Sequence, residues 1–313
     1  MKGLWVLVFG ASLSMSALAQ VRFSEVCVNP PGSPDAGREF IELRSCVPNY
    51  PLNDLWVLGI DGEYFFNPGN IHWAVNLSAY ATGSNGLLLL RDGTTVLLPE
   101  PSSETTVIVI PNCFTEAGMQ NDSYTVALVR GFSGSVGDDI DQNDDGVIDN
   151  TLWTEALDAI GWEDGDEGDG PDFVYATALN GRESPVADRT QSNGNVWEPD
   201  IYMWFGGENW LVSDVGNVAG VGWRVDRDEY VRYGNPPDPS AGDLFASPGN
   251  LNPTTEPPVA GDVNCDGCVD DADLLTVLFN FGETGRSNAD LNFDGVVDDA
   301  DLLTVLFNFG NGC

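Results

Sequence analysis

The chain has 313 residues, which suits two domains and a sizeable core in at least one of them. Twelve Lys and Arg against 49 Asp and Glu give a formal net charge of −37, a field that repels nucleic-acid backbones and anionic membranes and attracts divalent cations. Charged residues are nevertheless only 19% of the chain against 42% hydrophobic, which excludes a disordered acidic tail and predicts a folded protein.

Residues 1–19 combine Lys2, an apolar run over 4–13 and the small-residue ending Ala17-Leu18-Ala19, the pattern of a secretory signal peptide. The apolar run is too short to span roughly 30 Å of hydrocarbon, and no later segment approaches about 20 apolar residues. The expectation is a secreted protein, extracellular or at the cell surface, without membrane insertion. Six cysteines fit that location: Cys27, Cys46 and Cys113 in the long part, Cys265, Cys268 and Cys313 in the short one. Three plus three means that either one bridge joins the parts or each keeps a free thiol. Cys313 is expected to close onto Cys265 or Cys268. A redox role for "CDGC" is disfavoured, because it sits in an acidic loop without βαβ surroundings.

Over residues 20–252, apolar and β-branched runs are bounded by turn residues: "VRFSEVCV", "EFIELRSCV", "LWVLGI", "GLLLLRD", "TTVLLP", "TTVIVIP", "DSYTVALVRG" and "DFVYATAL". "TLWTEALDAIG" reads as either a short helix or a strand with a polar edge. Many short strands without alternating long helices predict a β-sandwich, with acidic insertions at 137–149 and 162–172. Within the first insertion, Asp141, Asn143, Asp145, the Val147 carbonyl and Asp149 fall on a calcium-loop template with Gly146 at its turn. Its position 12 is Leu152, so the usual bidentate ligand is missing and any affinity should be weak, about 10⁻⁴ to 10⁻³ M. The stretch "FSEVCVNPPGSPDAGREFIELRS" (23–45) resembles the opening hairpin of bacterial lamin-tail domains. "LNDLWVLGIDGE", "NDSYTVALVRG", "EALDAIGW" and "ASPGNLN" resemble that family's later elements. The resemblance implies an immunoglobulin-like sandwich over 20–252.

A Pro- and Thr-rich linker, 253–260, leads to a duplicated unit over 261–313. Aligned from Gly261 and Ala289, the two copies share 18 of 22 residues, including an unbroken "DADLLTVLFNFG". In the first copy the oxygen ligands of a calcium loop would be Asp262, Asn264, Asp266, the Cys268 carbonyl, Asp270 and Asp273, with Gly267 at the sharp turn. In the second they would be Asp290, Asn292, Asp294, the Val296 carbonyl, Asp298 and Asp301, with Gly295 at the turn. Calcium takes six to eight hard oxygens, and so tight a ring of carboxylates needs a cation to offset its repulsion. Zinc fits poorly, since there is no histidine ligand and cysteines occur in one loop only. After each loop, Leu274, Val277, Leu278 and Phe281, and again Leu302, Val305, Leu306 and Phe309, recur at helical spacing. That spacing predicts two helices, each ending at Gly282 or Gly310, that bury these stripes against each other.

No helix can precede the first loop, because "TTEPPVA" stands there, and position 12 is Asp rather than Glu; both points separate the unit from an EF-hand. They match dockerin modules, which the unit resembles over 261–313. That resemblance implies a small α-helical domain with two calcium sites that docks onto a cohesin-like or other surface protein. Dockerins read their partner partly through loop positions 10 and 11, often Ser-Thr; Asp271-Ala272 and Asp299-Ala300 stand there instead.

Catalytic signatures are sparse. His72 is the single histidine, and neither a G-x-S-x-G elbow nor H-E-x-x-H nor a P-loop occurs. Trp197, Trp204, Trp210 and Trp223 are read as core aromatics, with sugar stacking as the alternative. The expected function is that of a non-catalytic calcium-binding adhesion or structural protein. The rival is an exported carbohydrate-active enzyme, with paired carboxylates scattered in sequence, or a carbohydrate-binding module.

Overall fold

Short apolar runs between turn residues become strands throughout the long part. The computed structural model describes residues 21–32, 37–64, 67–93, 97–111, 114, 119, 122–164, 172–190 and 196–313. In chain order the strands are β1 (Val21–Cys27), β2 (Phe40–Ser45), β3 (Leu55–Asp61), β4 (Ile71–Asn76), β5 (Leu87–Arg91) and β6 (Thr106–Val109). They continue as β7 (Tyr124–Arg130), β8 (Glu155–Trp162), β9 (Arg182–Ser184), β10 (Ile201–Trp204), β11 (Trp210–Val218) and β12 (Gly222–Tyr233). A short helix, α1 (Val186–Arg189), lies between β9 and β10, and the tail carries α2 (Asp271–Phe279) and α3 (Asp299–Asn308).

The strands form two sheets, ordered β12-β11-β10-β1-β2-β5-β6 and β4-β3-β7-β8-β9. Pairing is antiparallel except for β5 with β6 and β8 with β9. Phe23, Ile41, Leu88 and Val212 of the first sheet share one core with Val57, Trp73, Val126 and Trp162 of the second, so the sheets pack face to face. The outer faces are covered as well. Leu97 and Leu244 close over Phe40, Leu89 and Met203, while Ile140, Tyr175 and Leu179 close over Leu58, Ile60 and Ala127. Burial on both faces explains why β5 is an uninterrupted leucine run rather than an alternating one.

The mainly β architecture expected from sequence is present, and "TLWTEALDAIG" resolves as strand β8. Some strand boundaries differ. "DFVYATAL" gives a loop and a 3₁₀ turn at Thr177–Leu179, because it lies across the outer face of the second sheet instead of joining it. In "TTVLLP" residues 94–96 lie outside the described residues, and Leu97 onward is not strand. Strands β4, β9 and β10 to β12 were not foreseen; β12 in particular reads "GWRVDRDEYVRY", a charged edge strand held by its hairpin with β11. The segment 1–19, expected as a signal peptide, lies outside the described residues, as does Cys113. No described helix is long and apolar enough to cross a membrane.

Two acidic residues lock the chain's closing segment onto its first hairpin. Glu25 and Glu42 face each other across β1 and β2, and both are fully buried. Ser247 donates to Glu25 from its N (3.0 Å) and its hydroxyl (2.9 Å), and Gly249 N donates to Glu42 Oε2 (2.7 Å). Asn252 then donates to the carbonyls of Ser24 and Trp204. Burial, which penalises the charged form, pushes Glu25 up to about 8, and burial plus the neighbouring Glu25 raises Glu42 as well.

The folded state thus holds these protons more tightly than the unfolded one. The contribution of Glu25 to stability is full below about pH 4.5 and is lost as pH rises through about 8, and Glu42, raised in the same direction, acts in the same sense. Thermal melts of the wild type and Glu25→Gln at pH 5, 6.5 and 8 should show the wild type losing more stability across that range. Parallel profiles would contradict this account.

Candidate metal centres

Both tail loops fold on the same backbone template. Position 4 is left-handed in each (Cys265 φ 62°, Phe293 φ 60°), and so is position 6 (Gly267 φ 91°, Gly295 φ 90°). A Cβ on either glycine would meet nothing within 4 Å, so the demand for glycine comes from φ alone. The first aspartate closes the turn: Asp262 accepts from Asp266 N (3.2 Å) and Gly267 N (2.9 Å), and Asp290 accepts from Asp294 N (3.2 Å) and Gly295 N (2.8 Å). Position 3 leans on position 5, with Asn264 Nδ2 donating to Asp266 Oδ2 (2.9 Å) and Asn292 Nδ2 to Asp294 Oδ2 (3.1 Å).

Position 12 ties the two ends of each loop together. Asp273 accepts from Val263 N (2.7 Å) with one oxygen and from Asp270 N (2.9 Å) with the other; Asp301 does the same with Leu291 N (2.7 Å) and Asp298 N (2.8 Å). Position 9 is at once the expected ligand and the helix N-cap, since Asp270 and Asp298 accept from Ala272 N and Ala300 N. Each forms a reciprocal capping box with position 12, which explains why the helix starts where the loop ends. An Asp suffices at position 12 because it is already drawn inward by these bonds. Its Oδ1 accepts a second bond, from Asn264 N in one loop and Asn292 N in the other (3.1 Å each), and Oδ2 keeps a lone pair for a cation. Burial pushes Asp262 up to about 6 and raises Asp290, with the neighbouring loop carboxylates adding to both shifts. Oxygen donors, two left-handed turns and buried carboxylates fit a hard cation of calcium's type.

The 141–149 loop copies the first half of this template. Asp141 is fully buried and accepts from Asp145 N (3.2 Å) and Gly146 N (2.7 Å); Asn143 donates to Asp145 (3.2 Å). Asp144 (φ 53°) and Gly146 (φ 80°) repeat the two left-handed positions. Tyr175 adds a hydroxyl donor to Asp141 Oδ2 at 2.9 Å. The second half differs: Leu152 packs toward the outer core, and the loop closes through Asp149 N and Asn150 N to the Ile140 carbonyl. Asp149 itself is exposed.

A trio not foreseen from sequence is Glu63, Asp164 and Asp172, whose carboxylate oxygens all lie within 4.8 Å of one another. Asp164 and Asp172 belong to the acidic run at 162–172, but nothing in the sequence connects Glu63 to them. His72 lies in β4 beside Tyr124, ring centroids 6.2 Å apart, and within electrostatic reach of Asp61. Of the four tryptophans, Trp210 and Trp223 are core, as expected, and Trp197 and Trp204 are partly buried.

The helix stripes differ from expectation. Only Val277 and Val305 are fully buried; Leu274 and Leu302 are half-buried, while Leu278, Phe281, Leu306 and Phe309 are exposed. The tail core is built from valines of both loops and both helices, namely Val263, Val269, Val277, Val297 and Val305, with Ala289. So narrow a core admits one residue per helix turn and leaves the remaining leucines and phenylalanines outside. Leu275, Leu278 and Phe279, and in the twin Leu303, Leu306 and Phe307, therefore form two equivalent exposed faces. Phe279 and Phe307 are each 82% exposed. The two copies are also knitted reciprocally. Val269 of the first loop pairs with residues 310 and 311 beyond α3, and Val297 of the second with 282 and 283 beyond α2.

The loops, at their fourth positions, meet the sandwich. Cys265 is bonded to Cys46, and the ring of Phe293 stands edge-on to Tyr50 at 5.6 Å. Arg286 adds an ion pair to Asp54 (2.7 Å). A second disulfide, Cys268–Cys313, ties the chain end to the first loop, so one expected bridge pairing and the link between the two parts are both present. Cys27 is buried at the end of β1. A scan against protein-family models returns no match for this chain, and a search of curated proteins returns none either.

Replacing Asp273 by Ala removes a cap and both loop bonds, and should cost about 1–3 kcal/mol and one equivalent of bound calcium. Melting and calcium titration of the full chain check this, with Asp301→Ala expected to behave alike. Unchanged stoichiometry in both variants would rule out position 12 as a ligand.

Proposed function

We propose that this chain is a secreted, non-catalytic calcium-binding attachment protein. A lamin-tail-like, immunoglobulin-like sandwich is held to a cohesin-like or other surface protein by a dockerin-like tail with two calcium sites. The observation that carries this reading is the pair of equivalent apolar faces centred on Phe279 and Phe307. Exposed aromatic and leucine side chains in contiguous patches mark protein interfaces. Duplication gives each face the same chemistry, so either can be engaged. The residues at positions 10 and 11 of the loops, Asp271-Ala272 and Asp299-Ala300, are exposed at the head of each face and place acid at its rim. Calcium would hold the loops that hold these helices, by offsetting the carboxylates of Asp262, Asp266, Asp273 and their twins.

The disulfides and the charge balance agree with an exported location and with no nucleic-acid partner. A catalytic reading finds less support. Glu25 and Glu42, buried acids paired across β1 and β2, are covered by residues 247–252, which donate to both. A polysaccharide hydrolysis screen on the full chain tests that rival directly; turnover abolished by one carboxylate substitution would overturn the non-catalytic reading.

Two outcomes are expected of the full chain. Calcium at a hundredfold excess over Kd should stabilise the tail by about 2.7 kcal/mol per site, and chelator should reverse the gain. Identical melting and helical circular dichroism in millimolar calcium and in chelator would sink the metal reading. Separately, a Phe279→Asp, Phe307→Asp double variant should lose binding to the producing cell's surface fraction while keeping its calcium response. Each single variant should retain binding through its twin. Equal surface binding by the double variant and the wild type would remove the helix faces from the mechanism.

A further inference from the structure

Two of the chain's twelve cationic side chains are spent on one spot. Arg22 in β1 and Arg44 in β2 stand directly opposite each other in the strand register, where like charges destabilise a sheet. Both guanidiniums lie over the same indole, 5.2 and 5.1 Å from the ring centroid of Trp204. Arg44 donates one bond to the Glu256 carbonyl. Arg22 donates no hydrogen bond among the described residues, and the charges of Asp158 and Glu208 act on it without a close ion pair. Burial lowers the pKa of both, Arg44 to about 10, so the charges are held where water screens them poorly.

These groups line a cavity of about 300 Å³ between the sandwich and the tail. Its opposite wall is Glu256, Pro257, Pro258 and the first loop with Asp262 and Asp266, and the Cys46–Cys265 bridge runs through that wall. The site therefore exists only when both parts of the chain are joined. The two cations converge at one end of the cleft and call for an anion there, while Glu256, Asp262 and Asp266 line the rest and turn further negative charge away, so both charge and shape limit which. The volume is at the small end of ligand pockets and exceeds what a bare inorganic ion fills. Planar guanidiniums match the two oxygens of a carboxylate, and Trp204 with the two prolines offers a flat apolar surface for the body that carries it. In a field of −37 a monoanion is also repelled less than a phosphate dianion.

We propose that this cavity binds a small carboxylate-bearing molecule, with the carboxylate between Arg22 and Arg44 and its body against Trp204 and the Pro257–Pro258 wall. The arginine pair defines the site whether or not the first loop holds calcium, so calcium is kept at one millimolar-range concentration throughout the test.

The experiment is isothermal titration of the full chain with acetate, benzoate and glucuronate, against glucose and inorganic phosphate. Benzoate or glucuronate should bind one to one and more tightly than acetate, and glucose should give no heat. Arg22→Gln and Arg44→Gln should each weaken binding about tenfold or more. Arg44→Lys, which keeps the charge and loses the fork, should weaken it too and guards against a Gln variant that fails to fold. Silence from all three carboxylates would overturn the proposal. So would unchanged affinity in folded arginine variants, or phosphate binding as tightly as the best carboxylate.

Discussion

The tail is too small to hold itself by burial. Its core has six buried apolar side chains, none larger than valine, and a unit of some fifty residues with so little buried area needs other restraints. Everything else about the tail follows from that shortage. Each copy lends backbone hydrogen bonds to the other, so neither is complete alone. Cys268–Cys313 closes the end of the chain, and Cys46–Cys265 fixes the whole to the sandwich. The carboxylates of each loop converge under the same logic: they are costly together without a cation, and with one they become a third kind of staple.

The sandwich solves an opposite problem, that of an acidic chain with much apolar surface to hide. Core clusters lie on both faces of both sheets, and acid is gathered in loops and on exposed strand positions such as those of β12, or buried and fastened, as Glu25 and Glu42 are by residues 247–252. The two glutamates belong to the first hairpin, "FSEV" and "FIEL", and their partners to the closing "ASPGNLN". The opening hairpin and the closing segment of the long part are thus in direct contact in space.

The loops were legible in the sequence because their template of oxygen-bearing residues and a turn glycine spans only twelve positions, and the repeat wrote it twice. The helices were legible for the same reason; the capping box between Asp270 and Asp273 is a three-residue signal. Which side of each helix turns inward was not. "DADLLTVLF" is apolar over most of its circumference, so periodicity offers several stripes, and only the width of the tail core selects Val277 over Leu278. The anchors at position 4 were invisible for another reason: Cys265 and Phe293 look unrelated in sequence, and only a shared left-handed backbone turns both toward the 46–50 segment. The charged β12 and the clustering of Glu63 with Asp164 and Asp172 depend on pairings far apart in the chain, which no local pattern encodes.

The Cys46–Cys265 bond has a mechanical meaning. Residues 253–260 are the chain's own route between the two parts, but a covalent shortcut beside them joins the rim of β2 to the first loop. A force on the tail would reach the sandwich through Cys265 and Cys46 as well as along the Pro-rich segment. Extension is limited by a single sulfur–sulfur link rather than by the contour of eight residues, so an oxidised chain transmits tension as one stiff body. A reduced one would pay out its tether first.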